Sequence, residues 1–556
     1  MRLGRGFWAL ALILAAGLAL RVWGARWGFP LLVDGDEPHF VDTAVAFGAG
    51  SLNPHDFKYP TLWMYLLSAA YGAYYLVWSA FGLRHTVAQF GGLFVWQTWR
   101  FHLLGRLLSA ACSCAGLWVV ARADAESRDG SPGASRPWAA ALLAVSPGLA
   151  FSAHQAKADS LMFCLSAAAW LFSLRLLKDG REGDAAKAGL FSGLAFASQY
   201  TALPALALAP LACALRAADG RESPARALRL AASSGASSAL GFFLGCPYAI
   251  LDFPTFLASL ADHVAFKASR SAAATGASWS AWINMLVFAG PWSLAALALP
   301  AGAVRLFIKD RARLALLALP VLLWAAFLSR QHDGGNLRYL YACFPALALL
   351  AAQGLEAASP GGRAALAAAA AGALLPGIWA CASADRILTL PDTRLLATAW
   401  IESNVPQGSA LILDQPDDSP GARMTREQAE ELRAQNEARG SLRARYFELM
   451  RDSHPGGGWR VYHLKRSAGD LNSNPASVEK SQSEGAFVDA GAGLSALRER
   501  GISTVVTSSY GASPQASPEL ARFFEELTRD GRPLARFEPD GRTAVGPTLQ
   551  IYRIPP

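Results

Sequence analysis

The stretch FWALALILAAGLALRVWGAR at residues 7–26, followed by WGFPLLV and then Asp34-Gly35-Asp36-Glu37-Pro38-His39, decides how the rest of the chain is read. An apolar run of this length is what a helix needs to cross a hydrocarbon core about 30 Å thick. Arg2 and Arg5 precede it, so its N-terminus is expected on the cytoplasmic side. The three carboxylates Asp34, Asp36 and Glu37 then emerge just beyond the outer face. A cleaved signal peptide is the alternative, but no convincing small-residue cleavage site precedes a new domain.

Working outward, the 556 residues are 53% hydrophobic and 17% charged, with mean hydropathy +0.24. That balance excludes a disordered, collagenous or nucleic-acid-scaffold protein. Residues 383–556 hold 44 of the 92 Asp, Glu, Lys and Arg, so the first two thirds read as membrane-embedded and the last third as a water-soluble domain. The formal charge of +8 does not call for a nucleic-acid partner, because the basic residues sit mostly in short loops between apolar stretches and serve membrane orientation. All seven cysteines lie in or beside apolar stretches, without a disulfide framework or a CxxC metal pair.

Ten further spans are expected at about 102–121, 137–153, 159–177, 187–200, 201–216, 229–246, 281–304, 312–329, 338–354 and 364–382, about eleven transmembrane helices in all. Alternating them puts the loops bearing Arg175, Lys178, Arg181 and Lys187, Arg216 to Arg229, and Arg305 to Arg313 in the cytoplasm, as the positive-inside rule requires. Thr61–Phe81 would reverse that order if counted, so it is expected as a surface helix within a large first outer loop, residues 27–100. Its Trp63, Tyr65, Tyr71, Tyr74, Tyr75 and Trp78 suit an interface. The pair 187–216 reads as two spans or one long helix. Residues 1–390 form the membrane domain on this reading. Residues 391–556 form a small mixed α/β domain outside, with helices at 393–402, 424–451 and 518–528 and strands at 410–413, 503–507 and 548–554.

Three carboxylates within four positions at a membrane surface resist desolvation and repel one another, so they are costly without a task. Paired carboxylates can keep one as a base near neutral pH, or hold a divalent cation through oxygen. The plain alternative is a solvated acidic loop. Asp159, at the head of a span, is either functional or an N-cap. Lys58 and Arg338 on outer loops can bind a phosphate or snorkel to lipid headgroups. His39, His55, His154, His263 and His332 are expected as surface histidines, since no two stand at ligand spacing on one element.

The ordered fragments Arg21, Asp36-Glu37, Ala44, Lys58-Tyr59-Pro60-Thr61-Leu62, Arg106-Leu-Leu-Ser-Ala, Lys157-Ala-Asp159, Gly193 to Tyr200 and Arg338-Tyr-Leu-Tyr-Ala-Cys-Phe-Pro345 resemble GT-C class membrane glycosyltransferases. The closest look is to the bacterial branch of the protein O-mannosyltransferase and lipid A aminoarabinose transferase superfamily. The resemblance covers about residues 7–415, and its order carries it, not any single motif. It implies a GT-C-like fold and the inverting transfer of a sugar from a polyprenyl-phosphate carrier to a protein, lipid or glycan acceptor at the outer face of the bacterial inner membrane. It implies Asp36 as the base, Glu37 and Asp159 as orienting groups, and Lys58 and Arg338 as holders of the carrier phosphate, with Asp34 and Tyr339 beside them. There are departures. Gln199 stands where the family has lysine, and Phe57 precedes the loop lysine where the lipid A branch has an acid, so a zinc site is not expected, though a divalent metal remains open.

Two other classes are weighed. A transporter or flippase of a lipid-linked glycan would carry polar or broken helices at mid-span, whereas these spans are mostly Ala and Leu. A mere anchor for the C-terminal domain would leave the Asp34/Asp36/Glu37 cluster without a role.

Overall fold

The computed structural model describes residues 5–82, 86–127, 136–273, 279–331, 335–357, 362–415, 418–441, 443–465, 478–479, 482–489, 491, 493–509 and 518–555. His332 lies outside the described residues. The chain forms two compact units. The first holds residues 1–25, 36–72 and 102–386, and the second holds 26–35, 73–101 and 387–556.

The first unit is helical. Among the described residues, six helices are long and apolar enough to cross a membrane: Trp99–Glu126, Asp159–Asp179, Tyr200–Ala218, Arg311–Leu328, Leu337–Glu356 and Gly362–Leu388. The opening helix, Arg5–Val22, is apolar but slightly shorter. Two single spans expected from the sequence are broken. Residues 137–153 form Trp138–Ala144 and Pro147–Ala153, because Pro147 brings no backbone N–H and starts a new helix. Residues 281–304 divide into Ser280–Leu286 and Ala295–Lys309, with Gly290 at φ +108° in the gap. The pair 187–216 is not one long helix either. Glu182–Ser198 stops where Gln199 turns extended (φ −158°, ψ +130°), and the chain resumes through short helical turns before Leu208–Ala218. Helix Leu62–Ala80 occupies the stretch read as a surface helix and buries Trp63, Met64, Leu67 and Tyr71.

The break before Pro147 has a use. It interrupts the helical ladder at the last carbonyls of Trp138–Ala144, although Leu143 O still accepts from the Ser146 N–H (3.3 Å). Arg21 takes them. Its guanidinium is fully buried and donates to Ala144 O (2.9 Å), Leu143 O (3.1 Å), Gly17 O (3.0 Å) and Ser113 Oγ (2.7 Å). Helices Glu182–Ser198 and Pro224–Gly245 pack backbone to backbone. A methyl group at Gly189, Gly193 or Gly241 would collide with Ser234 O, Ser238 O or Leu190 O. Close approach through small residues is how helices associate where lipid removes any hydrophobic drive between them.

The second unit carries a six-stranded sheet. Its strands are β1 (Ala410–Leu413), β2 (Arg460–Lys465), β3 (Phe487–Asp489), β4 (Ile502–Ser508), β5 (Arg532–Phe537) and β6 (Leu549–Arg553), in the order β3-β2-β1-β4-β6-β5. β1 runs parallel to β2 and β4, β2 parallel to β3, and β6 antiparallel to β4 and β5. Alternation sends Ala410 and Ile412 into a cluster with Phe523 and Leu527, and Leu411 and Leu413 into one with Ile401 and Trp459. Both faces are thus covered, as a mostly parallel sheet requires. The stretch read as one helix at 424–451 is two, Arg426–Ala438 and Arg443–Asp452, with Gly440 at φ +66° between them.

Candidate active site

The acidic loop of the first unit is shaped by Pro38, which fixes the first turn of helix Glu37–Ala46 and leaves Asp36 at its N-cap. The Asp36 carboxylate makes no capping bond. It turns to two cations from remote parts of the chain: Arg338 Nη1 donates to Oδ2 at 2.9 Å and Lys157 Nζ to the same oxygen at 3.2 Å. Burial alone would raise the proton affinity of this carboxyl. Lys157 and Arg338 outweigh it and hold the group at about 2. Asp36 is the most solvent-open of the three, about a third exposed.

Each cation is placed by its backbone. Asn336 accepts from Arg338 N–H with its side chain and starts the 3₁₀ helix Leu337–Cys343. Lys157 belongs to the turn His154–Ala158, buried throughout. That turn is tied twice at Ala156, whose N–H donates to Glu37 Oε1 (2.6 Å) and whose carbonyl accepts from Trp63 Nε1 (2.9 Å). Asp159 follows at the head of helix Asp159–Asp179, buried, with Ala158 rather than Asp159 in the cap position. Its charge acts on Arg338 and on Tyr59. Asp36, Asp159 and Arg338 therefore converge on one place.

Glu37 sits in a more enclosed setting than Asp36. It is fully buried, and Arg106 grips it with two bonds, Nε to Oε1 at 2.8 Å and Nη2 to Oε2 at 2.7 Å. His102 Nδ1 lies 3.5 Å from Oε2. Burial opposes its charge, but the Arg106 and His102 hydrogen bonds prevail and hold it at about 2. Both carboxylate oxygens are thus engaged, Oε1 by Arg106 and the Ala156 N–H of the turn that bears Lys157, and Oε2 by Arg106.

Aromatic rings carry the neighbouring cations. Lys58 is exposed, with Nζ 5.4 Å from the centroid of Tyr59. Burial and the charge of Asp36 push the Tyr59 phenol above its ordinary range. Tyr339 lies between two cations, Arg338 Cζ at 5.6 Å and Lys267 Nζ at 5.9 Å from its centroid. Lys267 and His263 are one helical turn apart on the face of helix Phe253–Ala273 turned toward the protein. Burial and the charges of Lys267 and Lys58 lower the His263 imidazole. Asp34 belongs to the second unit.

Lys157, Arg106, His102, Lys267 and His263 were not singled out as site residues from the sequence. The i, i+4 pair His263/Lys267 on the helix Phe253–Ala273 was the available signal. His39 and His154, expected at the surface, are instead largely enclosed; His154 Nε2 lies 3.7 Å from Asp385 Oδ1. The donor set does not fit a divalent metal ion, because the exposed carboxylate already faces two cations that would repel a third. Among the described residues no group of three His, Cys, Asp or Glu is arranged to hold one.

No family model matches the sequence, and no curated protein does. In three dimensions the chain is similar to ArnT from Cupriavidus metallidurans bound to undecaprenyl phosphate, at 13% identity and TM-score 0.51 over the whole of both chains. It is similar to the same protein in the apo state at 14% identity and TM-score 0.53, over 97% of each chain. The archaeal oligosaccharyltransferase AglB from Archaeoglobus fulgidus, solved with an inhibitory peptide and a dolichol-phosphate, matches 96% of this chain and 73% of its own at 12% identity and TM-score 0.50. The fold is thus that of GT-C class glycosyltransferases.

Proposed function

We propose, from that fold and from the paired cations on Asp36, that the chain is a multi-pass membrane enzyme. It transfers a sugar from a polyprenyl-phosphate carrier to an acceptor at the outer face of the membrane, with inversion at the anomeric carbon. The N-terminus is cytoplasmic and the α/β domain extracytoplasmic on this reading, with about eleven crossings once the broken and short helices are counted. The observation that carries the proposal is the sharing of one Asp36 oxygen by Lys157 and Arg338.

A carboxylate held at about 2 is a weak base as it stands. The arriving carrier phosphate changes that. It competes with Asp36 for Arg338 and Lys157, and Lys58 and Lys267 flank the same approach through Tyr59 and Tyr339. As the cations turn to the phosphate, Asp36 is released and its proton affinity climbs toward the ordinary carboxylate range. It then takes the proton of the acceptor hydroxyl, whose oxygen attacks the anomeric carbon. The carrier leaves as a phosphate anion stabilised by the cations. Asp159 orients the sugar or acceptor, and Glu37 acts at one remove by holding the Lys157 turn.

Arg338→Ala and Lys157→Met should each raise the carrier-sugar concentration needed for half-maximal rate by about 10- to 100-fold, the worth of one charge-assisted hydrogen bond. Both should also move the acid limb of kcat/KM upward, because losing a cation returns Asp36 toward its ordinary 3.8. A donor dependence equal to that of wild type in both variants would remove the phosphate role. The transporter reading is separated by assaying the purified chain in detergent with lipid-linked sugars and candidate acceptors, both extracted from its own membranes. An enzyme forms an inverted glycoside there, whereas a transporter forms no product without two compartments.

A further inference from the structure

One polar atom beside Asp36 is unexplained by the mechanism above. His39 lies one helical turn beyond Asp36, on helix Glu37–Ala46. Its ring packs against Tyr59 (centroids 5.1 Å) and Phe40 (5.7 Å). Nε2 is buried, yet among the described residues it has no hydrogen-bond partner. Leaving a buried donor or acceptor unmet destabilises the free protein. A phenylalanine would fill the same aromatic slot without that cost, so packing does not account for a histidine.

We infer that His39 Nε2 is a donor-binding group that hydrogen-bonds an oxygen of the phosphosugar headgroup held at Asp36. The proposal rests on the glycosyltransferase reading and deepens it. The charged groups that act on this imidazole are Asp36, Asp56 and Lys58. Lys58 is the exposed cation on the same Tyr59 ring that His39 contacts, so the two flank one aromatic ring beside Asp36. Burial works against protonation of the ring, so it meets the ligand as a neutral imidazole with one N–H to give. The atom left unmet in the free protein is met in the complex, and the cost carried before binding is recovered on binding.

The test uses the full chain with His39→Phe and His39→Gln, the latter placing an amide near the position of Nε2. Three readouts are taken: thermal unfolding in detergent, calorimetric binding of undecaprenyl phosphate, and envelope glycoconjugate yield, by mass spectrometry, in cells lacking the native gene. His39→Phe should unfold at the wild-type temperature or above and lose at least tenfold in product at equal expression, with His39→Gln in between. A tenfold weaker Kd for undecaprenyl phosphate in His39→Phe assigns the contact to the phosphate. An unchanged Kd with lost product assigns it to the sugar. Wild-type Kd and wild-type yield in His39→Phe overturn the proposal. A wild-type chain that neither binds undecaprenyl phosphate nor restores any glycoconjugate overturns the parent reading instead.

Discussion

Asp36→Asn should lower sugar transfer by about 10²–10⁴-fold, the range a positioned base contributes, while the protein still accumulates in membranes. The side chain is about a third exposed and caps no helix, so its loss removes little from the fold. The amide keeps the shape and deletes the proton acceptor. It also frees Lys157 and Arg338 from their anionic partner, so undecaprenyl phosphate should bind the variant at least as tightly as wild type. That opposed pair, turnover collapsing while carrier affinity holds or improves, is what separates a base from a general structural lesion. Initial rates at saturating donor, together with calorimetry on the same preparations, supply both numbers. Turnover within a few-fold of wild type would remove Asp36 from the chemistry.

Glu37→Met has the largest expected effect on stability. Arg106 is fully enclosed, and besides Glu37 it holds Ala25 O at 2.9 Å. Removing the carboxylate strands a guanidinium, which costs about 3–5 kcal/mol when one partner of a buried pair is lost. The double change Glu37→Met with Arg106→Met should recover much of the unfolding temperature, because no charge is then left unpaired. It should not recover activity, since the Ala156 N–H also loses its acceptor and Lys157 its fixed position. In acid the sign follows from the lowered carboxyl. Its contribution is complete above the ordinary 4.5 and is lost as pH falls toward about 2. An unfolding temperature indifferent to Glu37→Met would show that the clamp carries no stability.

Much of this site could be read before any coordinates, and the unread part has physical causes. Asp36 and Arg338 stood out because charged groups at a membrane surface need a reason. Their pairing did not, because the two are 302 residues apart and nothing local links them. The partner of Glu37 is hidden for the same reason: it is Arg106, 69 residues on, in the helix Trp99–Glu126. The broken spans were smoothed over because Ser146-Pro147 and Gly290 lie inside stretches that are apolar throughout. In the second unit, β5 was missed because Pro533 argues against a strand, and an edge is where a sheet accepts one. β3 was missed because three residues show no periodicity.

The bare backbone seam formed by Gly189, Gly193 and Gly241 has a consequence for anyone surveying variants of this chain. Saturation mutagenesis scored only on growth would leave these three rows blank, alanine included, and the blanks would look as severe as those at Asp36. They report a thickness limit between two rods, not chemistry. Sorting the survey by protein abundance as well as by product separates the kinds of silence: the seam loses the molecule, and the acid loses only its work.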